Sequence, residues 1–327
     1  MGKNFTLLVF LIFVSVALHA QQPVQYSMYM LNKYNFNPAY AGLENSLSIT
    51  GVFRKQWVNL ESSPVTQNIN AHMPLYYLGG GFGINLENDQ LGAERNTSGS
   101  ISYNYFVPVS KKSLLSFGIS GGVIQKSIDG SKLRAPDGIY TEEPPTIDHQ
   151  DNLIPIGKVA AIAPLINAGV YFQSEKLEIG VSANNLLEPN AVLNAEELIN
   201  IKFIRNYFFN FAYTFEISRS LAIQPSFFAK SDLVQTQLEF SAIVKYNDNI
   251  FGGASFRGYN ANSIDAIIFL AGYKLNENFT LAYSYDLTLS GLSNVSKGSH
   301  EILLNYNLNK IIGKGVPQKI IYNPRFL

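Results

Sequence analysis

From Leu47 onward the chain alternates apolar residues with small or polar ones, segment after segment, almost to its end. Leu115, Phe117, Ile119 and Val123 fall on one parity and Ser116, Gly118, Ser120 and Gly122 on the other. Val65, Ile69 and Met73 oppose Thr66, Asn68, Asn70 and His72 in the same way. A side-chain period of two is that of a β-strand with one apolar face. The sharpest case is Phe203 to Ile217, where Phe203, Tyr207, Phe209, Phe211, Tyr213, Phe215 and Ile217 oppose Asn206, Asn210, Thr214 and Glu216. Arg205 shares the aromatic parity and is placed at headgroup level, near the start of that strand. From Leu47 to Leu308 the pattern predicts about fourteen strands, an even number suited to a closed antiparallel barrel.

An aromatic wall on every strand needs cover, either from a second protein layer or from lipid. The connections decide between them. Even-numbered ones are short: Pro74 to Gly79, Pro108 to Lys112, Ser174 to Lys176, Ser218 to Ser220, Asn247 to Asn249 and Asn276 to Asn278. The odd-numbered series holds all the long ones: Ile128 to Pro164, Asn185 to Lys202 and Ser290 to Gly298. A membrane barrel sorts its loops in this way, with short periplasmic turns and longer outer loops, whereas a soluble sandwich has no reason to. The first long loop carries Pro136, Pro144, Pro145, Pro155 and Pro164 and is expected to lack regular structure. The second, with Leu193, Ala195, Glu196, Glu197 and Leu198, is expected to hold a turn of helix.

Composition agrees with lipid cover. Only 15% of residues are charged, against about 25% in soluble domains. Tyr and Phe together number 41 (19 + 22). Lys and Arg equal Asp and Glu at 24 each, so there is no basic excess with which to neutralise nucleic-acid phosphates. No cysteine is present, which excludes disulfides, thiol catalysis and Cys-ligated zinc. Lys3, the apolar run Phe5 to Leu18 and the small residue Ala20 predict a secretory signal peptide over residues 1–20. Losing Lys3 leaves 23 − 24, a net charge of −1. Residues 21–43, rich in Tyr, Asn and Met, precede the alternation and are expected to form a plug-like segment in a polar lumen. The barrel then takes residues 44–308, and 309–327 form a periplasmic tail.

Catalytic and metal chemistry are weakly signalled. Ser299, His300 and Glu301 are consecutive, but strand neighbours point to opposite faces and cannot form a triad. His149 lies near Glu142, Glu143, Asp148 and Asp151 without the spacing of a calcium loop, and such a loop reads as a solvated one. No cofactor, metal or catalytic residue is expected. Arg54, Lys55 and Trp57 at the outer end of the first strand read as an interface-belt tryptophan with snorkelling cations, in preference to a partner-binding cluster.

Several stretches resemble one family when taken in order: QYSMYMLNKYNFNPAYAG at 25–42, FRKQW at 53–57, PVTQ at 64–67, GFGINLENDQLG at 81–92, YSYDLTL at 283–289, GSHEIL at 298–303 and NPRFL at 323–327. Together they are similar to the PorP/SprF family of the Bacteroidetes type IX secretion system. The resemblance implies a barrel of the cell outer membrane that serves export or surface attachment of a large secreted protein. In some members that cargo is an adhesin used for gliding motility. It implies as partners a cargo protein with a type IX C-terminal targeting domain and other components of the secretion system, besides the lipid bilayer. It supplies no catalytic residues. Candidate cargo-contact or plug positions are Asn37, Pro38, Tyr40, Arg54, Trp57, Glu142, Glu143 and Asp148. The rival reading is a passive or solute-selective pore with an N-terminal plug.

Overall fold

The computed structural model describes residues 23–142, 145–193, 200–260, 263–310 and 312. The expected signal peptide, Glu143, the expected helical turn at 194–199 and most of the tail lie outside these residues.

Fourteen antiparallel strands close into one barrel. They are β1 (Ser48–Lys55), β2 (Val65–Leu75), β3 (Gly80–Leu91), β4 (Glu94–Ser110), β5 (Ser113–Asp129), β6 (Lys158–Ser174) and β7 (Leu177–Asn184). The second half is β8 (Asn206–Tyr213), β9 (Leu221–Ser231), β10 (Thr236–Tyr246), β11 (Ile250–Arg257), β12 (Ala266–Lys274), β13 (Phe279–Thr288) and β14 (Ser299–Asn307). β8 resumes after Thr214 as Phe215–Glu216, still paired with β9. Each strand pairs with the next in the chain, and β14 returns to β1 with Glu301 opposite Arg54 and Asn307 opposite Ser48. Closure leaves no exposed sheet edge, the condition for β-structure to cross lipid. Among the described residues no helix is long and apolar enough to do so.

The period of two sorts the side chains as the sequence predicts. Phe53, Ile69, Ile101, Phe117, Ile119, Phe211, Phe240, Phe269 and Ile302 are exposed on the outside, while Thr50, Asn68, Asn70, Ser102, Asn104 and Ser116 are buried within. Phe211 lies near the middle of β8, so Phe211→Arg places a charge in the lipid band. That change is expected to destabilise the barrel by about 2–4 kcal/mol, measured by denaturant unfolding in detergent or vesicles.

Strand lengths differ from the sequence reading. β4, β5 and β6 each run 17 residues, against 8 in β1, β7 and β11. At a rise of about 3.3 Å and a tilt of about 40°, the long strands stand ~43 Å tall and the short ones ~20 Å. One wall of the barrel therefore rises above the other on the loop side. The long loop shrinks to residues 130–157 and contains a small hairpin, Ile139–Glu142 with Pro145–Asp148. Pro164 is inside β6, opposite Val123, rather than in the loop. A strand residue in an antiparallel ladder donates to one neighbour only, so a proline forfeits a single bond.

The lumen is not uniformly polar. Met28, Tyr29, Met30 and Phe36 of the N-terminal segment pack against inward-facing Val52, Phe208, Phe228, Ile243, Leu270 and Leu303. Below them Tyr34, Tyr40 and Leu43 meet Phe106, Leu114 and Tyr171. Tyr29 stacks on Phe228 with centroids 4.6 Å apart, and Phe36 meets the same ring edge-on at 4.9 Å. Each of these large side chains contributes roughly 1.5–3 kcal/mol on burial. The segment thus brings an apolar core of its own into the lumen, beside the Asn and Tyr side chains noted in its sequence.

Candidate functional site: the filled lumen and its outer clamp

The segment preceding β1 has almost no regular structure beyond two short 3₁₀ turns, Lys33–Asn35 and Pro38–Tyr40. Its backbone groups must find partners elsewhere, and they find them on inward side chains of the barrel. Ser182 Oγ donates to the Phe36 carbonyl at 2.6 Å. Asn104 Nδ2 donates to the carbonyls of Ala39 and Ala41 at 2.7 and 2.8 Å. Ser116 Oγ donates to the Ala39 carbonyl at 2.6 Å, and the Gly42 amide donates to His72 Nδ1 at 3.1 Å. The small inward residues have a second purpose. A Cβ on Gly118 would lie 2.4 Å from the Ala39 nitrogen, and one on Gly169 would lie 2.1 Å from Asn37 Oδ1. The glycines form a bed into which the segment's backbone settles. Asn104→Ala removes two donors to buried carbonyls and is expected to cost about 1–3 kcal/mol, read from the unfolding midpoint.

Near the outer ends of the strands a group of ionised side chains closes on Ser27, which is fully buried. Arg54 Nη1 and Arg257 Nη2 both donate to Ser27 Oγ, at 2.8 and 2.9 Å, and that hydroxyl donates to Asp286 Oδ2 at 2.7 Å. The Ser27 and Met28 amides donate to the two carboxylate oxygens of Glu301 at 2.8 and 3.1 Å. Arg54 pairs with Asp286 at 2.7 Å and with Glu301 at 3.2 Å. Arg257 pairs with Glu239 at 2.8 Å, Asp286 at 3.1 Å and Asp265 at 3.2 Å. The side chains of Arg54, Arg257, Glu239, Asp286 and Glu301 are each no more than 2% exposed, so solvent screens these pairs very little. A buried network of this kind fixes a position more reliably than it adds stability. Here the position it fixes is that of Ser27. Deeper in the barrel Lys33 pairs with Glu178, whose Oε2 also accepts from Tyr171 at 2.6 Å.

The outer mouth is covered from the other side by the connection between β7 and β8. Phe203 packs with Ala191 onto Ala163, Ala161 and Ile124, the inner face of the raised wall. Phe203 is therefore buried rather than part of the lipid-facing aromatic row, because β8 begins only at Asn206. Arg205 also lies before the strand and donates to the Leu186 carbonyl at 2.8 Å. In the same loop a hydrogen bond from Lys202, at 3.0 Å, holds the Glu188 carboxyl below its usual range.

The candidate residues separate into three places. Asn37, Pro38 and Tyr40 are buried inside the barrel. Asn37 Nδ2 donates to the carbonyls of Val170 and Val181 at 3.2 Å each, and Tyr40 lies edge-on to His72 and Tyr171. Arg54 is 1% exposed and points inward, which corrects its reading as a snorkelling cation. Its parity is that of Ser48 and Thr50, whereas Lys55 points out. Trp57 stands just past β1 with φ of 48° and its amide donating to Ser299 Oγ at 3.0 Å. Glu142 and Asp148 sit on the outer-loop hairpin, with Asp148 turned onto Gln150 at 2.6 and 2.9 Å.

Ser299 is buried while His300 turns toward Tyr283 on the outer face, with Nδ1 2.6 Å from the phenol oxygen. His149 is paired with Tyr140 at 2.9 Å, and among the described residues no three carboxylate or imidazole groups are arranged to hold a metal ion. Arg257, Glu239, Asp286 and Ser27 were not singled out by the sequence, and Glu301 was weighed only as a neighbour of His300. The signal was nonetheless present, since Ser27 is in QYSMYM, Arg54 in FRKQW, Asp286 in YSYDLTL and Glu301 in GSHEIL. Four stretches, two near the start of the chain and two near its end, meet at one clamp.

A closed antiparallel barrel with an apolar, aromatic exterior and a lumen packed by its own N-terminal segment defines an integral β-barrel protein of the outer membrane. The family described as type IX secretion system membrane protein PorP/SprF matches residues 18–306, and the chain belongs to that family. No curated relative matches it. Among solved structures it is similar to the toluene transporter TbuX of Ralstonia pickettii, with a TM-score of 0.49 and 11% identity over 85% of this chain and 92% of that one. It is also similar to Omp33 of Acinetobacter baumannii, with a TM-score of 0.44 and 8% identity over 80% and 96%. The strand pairing, rather than these likenesses, establishes the barrel.

Proposed function

We propose that the protein is a non-enzymatic barrel of the type IX secretion system that binds one large, adhesin-like secreted protein. Recognition is through the cargo's C-terminal targeting domain, and the barrel helps to export the cargo or hold it at the cell surface. Family membership supports a role in secretion. The observation that carries the rest is the filled lumen. The segment from Ser27 to Asn45 is bonded to the wall along its length, and the cavity beside Tyr34, Asn35 and Phe36 measures about 10 Å³, the room of a single water. A barrel packed in this way has its outer loops, not a channel, to offer a partner. The hairpin bearing Glu142 and Asp148 and the loop over Phe203 are the surfaces such a partner meets first. Deleting the gene is expected to abolish surface display of one secreted protein, measured by surface proteolysis and mass spectrometry of intact cells. Unchanged display of every secreted protein would contradict the reading.

A further inference from the structure

The contacts of the lumenal segment follow a vertical order. Pro23 lies beside Lys230, and Ser27 lies among Arg54, Arg257 and Asp286, all near the loop-side ends of their strands. Tyr26 reaches Glu87 at 2.5 Å, in the upper half of β3. Asn32 is bonded to Asn68 and Asn70 at mid-height, at 3.3 and 2.9 Å. Ala39 and Ala41 lie against Asn104 and Ser116 in the lower half, and His72 receives Gly42 opposite the first residue of β1. Asn45 meets Tyr76 in the turn between β2 and β3, at 2.5 Å. The segment thus descends the whole lumen before β1 starts back up.

Since the short turns face the periplasm, we propose that the segment enters the barrel from the cell-surface side, with Pro23–Gln25 accessible to the external medium and Ser27 as its fastening point. Residues 23–26 are half-buried, whereas Ser27, Met28, Tyr29 and Met30 are all buried, so the transition from open to enclosed falls at the clamp. Lys230 supports the same entry. Its side chain is buried, it donates to the Pro23 carbonyl at 3.2 Å, and among the described residues it has no carboxylate at ion-pair distance. That bond holds the incoming chain against β9. A partner that docks on the outer loops would meet this stretch as well, and tension on it would pass through the contacts of Pro23 and Tyr26 to the clamp at Ser27.

The absence of cysteine makes the test direct. Single substitutions Pro23→Cys, Leu153→Cys in the outer loop and Glu277→Cys in the turn between β12 and β13 are exposed on intact cells to a maleimide carried on a polyethylene glycol too large for porins. Modification is read as a gel shift, and heat-modifiable mobility reports that each barrel has folded. Pro23 and Leu153 should shift on intact cells, and Glu277 only after the outer membrane is permeabilised. Protection of Pro23 on intact cells while Leu153 shifts overturns the proposal, whether or not permeabilisation then exposes it. Should Pro23→Cys fail to fold, Val24→Cys gives the same reading.

Discussion

Arg257→Ala is expected to lower the stability of the folded barrel by about 3–5 kcal/mol, the cost of leaving buried charge unpaired. Among the described residues Arg257 is the one cation paired with Glu239, and it shares Asp286 with Arg54, with all four side chains at 2% exposure or less. Removing it strands the Glu239 carboxylate and takes one of the two arginine bonds from Ser27. Denaturant titration in detergent, followed by tryptophan fluorescence from Trp57, measures the change. Replacing Glu239 and Arg257 together by apolar residues of similar volume should restore much of the loss, because an intact buried pair adds little over a packed hydrophobic one. Lys112→Ala, which breaks the exposed pair with Glu175, serves as the control and leaves the midpoint unchanged.

The second large effect is on the lumen itself. Gly118→Val places two methyl groups where the backbone of Pro38 and Ala39 now lies, with the Cβ alone 2.4 to 2.6 Å from three main-chain atoms. Backbone cannot yield as a side-chain tip can, so either β5 bends or the segment leaves its bed. β5 is held on both sides by 17-residue partners, β4 and β6, which makes displacement of the segment the easier response. Wild-type protein in planar bilayers is expected to be electrically silent and Gly118→Val to conduct. Silence of both, with the variant folded, would mean that the lumen stays blocked without the seat of Ala39.

Much of this architecture is legible in the sequence because lipid imposes a simple rule on it. Phe209 and Phe211 must be apolar where they meet hydrocarbon, Asn210 between them need not be, and the parity of Ser116, Gly118 and Ser120 marks the lumen wall without ambiguity. The rule lapses where lipid ends. The outer part of β4, Glu94 to Ser98, is polar on both faces because neither meets hydrocarbon, and the long strands β4, β5 and β6 are accordingly underestimated. Phe203 is misassigned for a related reason, since the alternation in sequence starts ahead of Asn206, where the strand itself begins.

The clamp is hidden more deeply. Glu239 and Arg257 oppose each other only once the register of β10 and β11 is known, and Asp286 and Glu301 meet Arg54 only once β14 has closed onto β1. Ser27 has no periodicity around it at all. A residue that supplies a hydroxyl to two guanidinium groups looks, in the sequence, like any serine beside a tyrosine.

The central claim is that a barrel filled by its own chain acts in secretion by holding a partner at its outer face. Affinity purification from native outer membrane, with crosslinking before solubilisation and mass spectrometry of what is retained, tests it most directly. The account predicts one large secreted protein, crosslinked through its C-terminal domain to the outer loops, together with components of the secretion system. Recovery of the barrel with no secreted protein attached, accompanied by solute flux through the purified wild-type protein in liposomes, would contradict it.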